Sequence, residues 1–117
     1  MIHKLSFDDL NTVARNGDKD ALRIIKFYSS RCHMCHALKD TYVELSEQFP
    51  DVMFYVFNID IFDGDPEVFP MIDGVPTLCK IDSYHGFVRF PDPNPPDPDM
   101  WYTPQSIKEF IQKEKNL

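Results

Sequence analysis

The sequence predicts an α/β fold in which a central mixed β-sheet, made of a βαβ unit and an antiparallel hairpin, is flanked by helices. Three observations carry that prediction. Ala21 to Tyr28 and Val52 to Phe57 are apolar on both faces, as strands in a covered sheet are, and they bracket a segment of helical periodicity. Two shorter β-type runs, Pro76 to Ile81 and Gly86 to Phe90, lie either side of a polar turn. Amphipathic stretches with helix-start signals stand near both ends of the chain. At 117 residues the chain, residues 1–117, suits one domain with a real core.

The elements follow in order. In Leu5-Ser6-Phe7-Asp8-Asp9-Leu10, Ser6 can cap free N–H groups, Asp9 can reach back to it, and Leu5 can staple to Leu10. Phe7, Leu10, Val13 and Ala14 then share an apolar face, and Asn16-Gly17 ends the helix. Lys26 interrupts the strand that follows. Leu38, Tyr42, Leu45 and Phe49 recur at three- and four-residue steps, so the next helix runs to about Phe49, where Pro50 and Asp51 close it. Strand, helix and strand in so short a span make a βαβ unit, with parallel strands and a right-handed crossover.

Asp63-Gly64-Asp65-Pro66 is a turn, with at most a short helix from Pro66 to Met71; the twelve-residue spacing of a calcium loop is absent. The hairpin turns at Asp82 to His85. Pro91 to Pro104 holds six of the ten prolines and can join neither a ladder nor a helix interior, so it is an extended loop insertion. Trp101 and Tyr102 suit anchors of that loop on the core. Thr103-Pro104 then caps a closing helix whose inner face is Ile107, Phe110 and Ile111.

The formal charge of −7 argues against nucleic acid as a partner, and no stretch has the length of a membrane span. From Asp40 to Cys79 there are nine acids and no Lys or Arg, which suits a solvated face or a dock for a basic partner. Three cysteines are too few for a disulfide scaffold, and no signal peptide is visible, so a reducing, cytoplasmic setting and a monomer are expected.

The chemistry concentrates in Ile24 to His36, where an apolar β-rich run enters a polar turn and two cysteines open a helix. A helix N-terminus presents unpaired N–H groups and partial positive charge, which favour a thiolate. Cys32 occupies that position, and Cys35, one turn on, is close enough to form a disulfide with it. Arg31, His33 and His36 would lower the Cys32 pKa if they surround it. Lys26 is either a chain whose stem packs while its amine reaches water, or a cation favouring a Cys35 thiolate. Cys79 suits a small buried hydrophobe.

Cys32-His33-Met34-Cys35 beside a βαβ unit, with Phe57-Asn58-Ile59-Asp60 and Gly74-Val75-Pro76-Thr77 downstream, resembles the thioredoxin-like family over about residues 21 to 90 and the last helix. The resemblance implies a thioredoxin-like three-layer sandwich with thiol–disulfide oxidoreductase activity. It implies Cys32 as the exposed nucleophile and Cys35 as the resolving thiol. It also implies a cis Pro76 facing the cysteines and Val75 as the backbone partner of an extended substrate segment. No bound cofactor and no metal are implied. The partners would be protein disulfides and an electron donor, either a thioredoxin-reductase-like protein or glutathione.

The chain departs from that family's pattern at several positions. Thioredoxins usually carry Trp before the first cysteine and Gly-Pro between the two, where this chain has Arg31 and His33-Met34. The family's buried acid is matched by Lys26, its helix-kinking proline by Asp40, and its short loop before the last helix by the segment at about 91–104. These changes suit a specialised reductase, with a reduction potential on the order of −200 to −250 mV. The rival reading is a non-enzymatic adaptor with a vestigial or regulatory dithiol. Cys32-His33-Met34-Cys35-His36 also spells the c-type haem pattern, but the βαβ setting and absent leader disfavour it. A zinc site lacks a second ligand pair at usual spacing.

Overall fold

The computed structural model describes residues 2–16, 21–62, 64, 69–70, 72–82 and 84–116. Strands β1 (Ile2–Lys4), β2 (Arg23–Tyr28), β3 (Met53–Asn58), β4 (Thr77–Asp82) and β5 (Gly86–Arg89) form one sheet in the order β1-β3-β2-β4-β5. Helices α1 (Phe7–Asn16), α2 (His33–Gln48) and α3 (Pro104–Lys115) cover it. Both β1 and β2 run parallel to β3, whereas β4 is antiparallel to β2, and β5 to β4.

The path explains the layers. From β1 to β2 the chain passes over β3, and from β2 to β3 it steps back. With right-handed crossovers, that reversal puts α1 and α2 on opposite faces. Strand alternation then sorts the side chains of β2. Ile25 and Phe27 pack with Leu10 of α1, Phe57 and Cys79. Ile24 packs with Leu38, Tyr42 and Leu45 of α2 and with Ile107 and Ile111 of α3. Covered on both faces and paired on both edges, β2 is the centre of the sheet. Its C-terminal end is the switch point, the usual place for a site in such a fold.

The expected caps form. Ser6 Oγ accepts from Asp9 N (3.1 Å) while Asp9 Oδ2 accepts from Ser6 N (3.3 Å). Thr103 and Ser106 make the reciprocal pair at α3, with Pro104 at the first helical position. Phe49 ends α2, which runs unbroken through Asp40. At the hairpin, Asp82 Oδ1 accepts from the Tyr84 and His85 amides, and Gly86 takes a φ of 74°.

Three expectations need revision or fall outside the described residues. The sequence reading places no strand before α1, yet Ile2–Lys4 pairs with Phe54, Tyr55 and Val56. Three residues with exposed His3 and Lys4 carry too little apolar periodicity to announce an edge strand. Lys26, expected to pack only its stem, is 5% exposed as a whole residue, because both faces of β2 are covered. The turn at Asp63-Gly64-Asp65-Pro66 and any helix from Pro66 to Met71 lie outside the described residues, apart from Gly64, Phe69 and Pro70.

The proline-rich segment is an extended loop, as expected, and it has an internal closure. Asp97 and Trp101 exchange two backbone hydrogen bonds (2.8 and 2.9 Å), and Asp97 Oδ1 accepts from the Asp99 and Met100 amides. Tyr102 is fully buried, and its hydroxyl accepts from Leu78 N of β4 (3.0 Å).

Candidate active site

Cys32 is the N-cap of α2, with extended backbone (φ −84°, ψ 112°), and its Sγ accepts from the Cys35 amide (3.0 Å). A hydrogen bond from an unpaired helical N–H, together with the helix dipole, favours the anionic form of a thiol. Cys35 is bonded to Cys32 as a disulfide, with Cα atoms 5.2 Å apart, and is 4% exposed, whereas Cys32 is only half-buried. That asymmetry follows from helix geometry. Cys35 shares the inward face with Leu38, Tyr42 and Leu45, while Cys32 sits at the open end.

Opposite them, the Val75–Pro76 peptide is cis. Cys32 Sγ lies 3.5 Å from the Val75 carbonyl oxygen, and Thr77 Oγ1 donates to the Gly74 carbonyl (2.6 Å), closing the turn that presents it. The two stretches thus meet at the C-terminal end of β2, where antiparallel β4 begins.

A feature missed at the level of sequence holds the turn before Cys32. Asp60, in the short 3₁₀ turn Ile59–Ile61 after β3, accepts from Ser29 Oγ (2.9 and 3.1 Å) and from Ser30 N (2.9 Å). Asn58 Nδ2 donates to Ser30 Oγ (2.9 Å), and Asn58 Oδ1 accepts from Asp60 N (2.9 Å). The Ser30 amide first, then the Ser29 hydroxyl, holds the Asp60 carboxyl below its ordinary range. Asn58 and Asp60 stand out in the sequence as a motif, but only the fold brings β3's end against β2's and shows what they bind.

The charged candidates are placed unevenly. Arg31 and His33 are exposed on either side of Cys32 in sequence. His36 is exposed as well, and its Nε2 donates to the Ser30 carbonyl (2.9 Å), so that ring braces the same turn. Arg31 adds a small favourable field at Asp60.

Lys26 lies on the sheet face that α2 covers, its Nζ 5.0 Å from the centre of the Tyr42 ring and 5.6 Å from that of Tyr28. Burial, and secondarily the Lys39 charge, lowers its pKa to about 8. Cys79 is buried on the opposite face, and burial raises its thiol to about 12, so the sheet separates an inert thiol from the pair. Among the described residues no group of three or more His, Cys, Asp or Glu side chains is arranged to hold a metal, and no helix is long and apolar enough to cross a membrane.

The thioredoxin family model matches residues 2–87. A thioredoxin from Geodia cydonium is 38% identical over 59 residues; the match spans 50% of this chain and 55% of that protein. The crystal structure of the J-Trx1 fragment of ERdj5 aligns with a TM-score of 0.72 over 99% of this chain and 52% of that one. At 20% identity, that likeness bears on the fold alone.

Proposed function

Because the chain belongs to the thioredoxin family, we propose that its Cys32–Cys35 pair is a protein-disulfide reductase centre working through a mixed disulfide. One observation carries the reading. The half-buried cysteine of a helix-opening pair faces the carbonyl that precedes a cis-proline, while its partner is buried behind it.

The cycle starts from the reduced pair. The Cys32 thiolate attacks one sulfur of a substrate disulfide; the Cys32–substrate bond forms, the substrate bond breaks, and the other substrate sulfur leaves as a thiolate that takes up a proton. Cys35 then loses its proton and attacks Cys32 Sγ. The Cys32–Cys35 disulfide forms and the second substrate sulfur departs, so two electrons have passed to the substrate. The Val75 backbone serves an extended segment beside the substrate cysteine by β-type pairing, which reads main chain more than side chain. The dithiol of a thioredoxin-reductase-like protein, which is itself oxidised to a disulfide, or two glutathione molecules, which leave as glutathione disulfide, return two electrons and restore the reduced pair. A cytoplasmic monomer suits this role, because that compartment keeps such a donor reduced.

Turnover of insulin disulfides with dithiothreitol as donor tests the reading. The wild type accelerates reduction and Cys32→Ser does not. Wild-type turnover no faster than that of Cys32→Ser would reject the proposal in favour of an adaptor module.

A further inference from the structure

The proline-rich segment is tied to the loop that carries Val75 and Pro76 by a chain of side-chain contacts. Because β5 is antiparallel to β4, its last residues lie beside the start of β4, at the same end of the sheet as Cys32 and Pro76. Arg89, at that end, reaches two carboxylates. Its Nη1 donates to Asp73 Oδ2 (3.3 Å), two residues before Val75, and its Nη2 to Asp92 Oδ1 (3.1 Å) in the insertion. The same Asp92 oxygen accepts from Trp101 Nε1 (3.1 Å). Arg89 Nε is buried without a hydrogen-bond partner among the described residues, and the Tyr102 hydroxyl adds to the field of the two carboxylates that favours the guanidinium's charge.

Trp101 itself takes a φ of 63°, an uncommon backbone for a side chain of that size. The paired backbone bonds to Asp97 hold it there. Strain of this kind persists where the surroundings over-determine it, and it concentrates at sites that must hold a geometry. Here the result is an indole N–H delivered to Asp92. The insertion is anchored on two further elements, by the Tyr102 hydroxyl at Leu78 of β4 and by Met100 Sδ at Thr41 Oγ1 of α2 (3.8 Å).

We propose that Arg89 is a positioning residue through which the proline-rich segment, by way of Trp101 and Asp92, braces the Asp73–Pro76 loop and so sets selectivity for protein substrates. The proposal rests on the reductase reading above. A small disulfide needs only the Cys32–Cys35 pair, whereas a folded or extended protein segment must also pair with the Val75 backbone. A looser loop therefore penalises the second and spares the first.

The test compares Arg89→Gln, Asp92→Asn and Arg89→Lys with the wild type on insulin and on dithionitrobenzoate, together with amide resonances of Gly74 and Val75. For Arg89→Gln and Asp92→Asn the expected result is a KM for insulin raised roughly two- to fivefold with kcat kept, and less than a twofold change on dithionitrobenzoate. Arg89→Lys, whose single ammonium cannot span both carboxylates, falls between. The Val75 resonance moves in both of the first two variants. Equal changes on the two substrates, no change on either, or an unmoved Val75 resonance would overturn the brace. If the wild type reduces neither substrate, it is the reductase reading that fails; the brace then stands or falls on the resonances alone.

Discussion

A thiol's usefulness in exchange depends on what its neighbours do to its anion, and here the neighbours differ sharply. Cys32 Sγ accepts an N–H at the open end of α2, while Cys79 is buried under apolar side chains that push its pKa to about 12. At Lys26 burial and charge conflict. Its pKa of about 8 against an ordinary 10.5 means that the oxidised fold prefers the neutral amine. The unfolded chain therefore binds the extra proton between those two values, and folding stability rises as pH climbs through that window. Below about pH 8 the full burial cost applies. Discounted for solvent screening, it is on the order of 1–3 kcal/mol. Lys26→Met should thus stabilise the oxidised protein at pH 7 in urea titrations, with a difference that shrinks by pH 10. A pH-independent difference would contradict the burial argument. If the cation also favours a Cys35 thiolate, the same variant has a lower reduction potential, because removing positive charge removes support for the reduced form; about 30 mV corresponds to roughly 1.4 kcal/mol.

Helices and strands were legible in the sequence where period and caps agreed. Ser6 with Asp9, Thr103 with Pro104, and the two apolar runs around α2 place their elements within a residue or two. What was not legible is whatever depends on partners far along the chain. The edge strand β1 has no periodicity of its own and exists because β3 offers it a ladder. The segment after β5 is extended on account of its prolines, but nothing local announces that Trp101 and Arg89 will meet at Asp92. Tyr102 illustrates the difference between anchoring by area and anchoring by a hydrogen bond. Its hydroxyl satisfies the Leu78 N–H in the buried interior, at a point where β4 emerges from the Pro76 turn. Tyr102→Phe keeps the ring and leaves that N–H unpaired, so a loss of about 1–3 kcal/mol is expected in urea unfolding. A change below a few tenths would mean that the loop is held by packing alone.

At the scale of the molecule, the fold explains why so few residues carry the chemistry. The reversal of direction between the two crossovers makes β2 central and leaves its C-terminal end open between α2 and the turn before β4. Everything placed there comes from separate stretches: the cysteines from α2, the cis-proline from the start of β4, Asp60 from the end of β3. The cysteine pair and the Val75-Pro76 turn were recognisable as motifs at their own positions, but their meeting at 3.5 Å is a property of the sheet order. In the proposed cycle Cys32 forms the bond to substrate and Cys35 breaks it. Trapping measures this directly: Cys35→Ser protein is incubated with oxidised insulin, quenched with acid, and its adducts are located by mass spectrometry after proteolysis. The expected product is a stable disulfide between Cys32 and an insulin cysteine, released by dithiothreitol and absent from the Cys32→Ser variant. An adduct on Cys79 instead, or none at Cys32 under conditions where insulin is otherwise reducible, would contradict it.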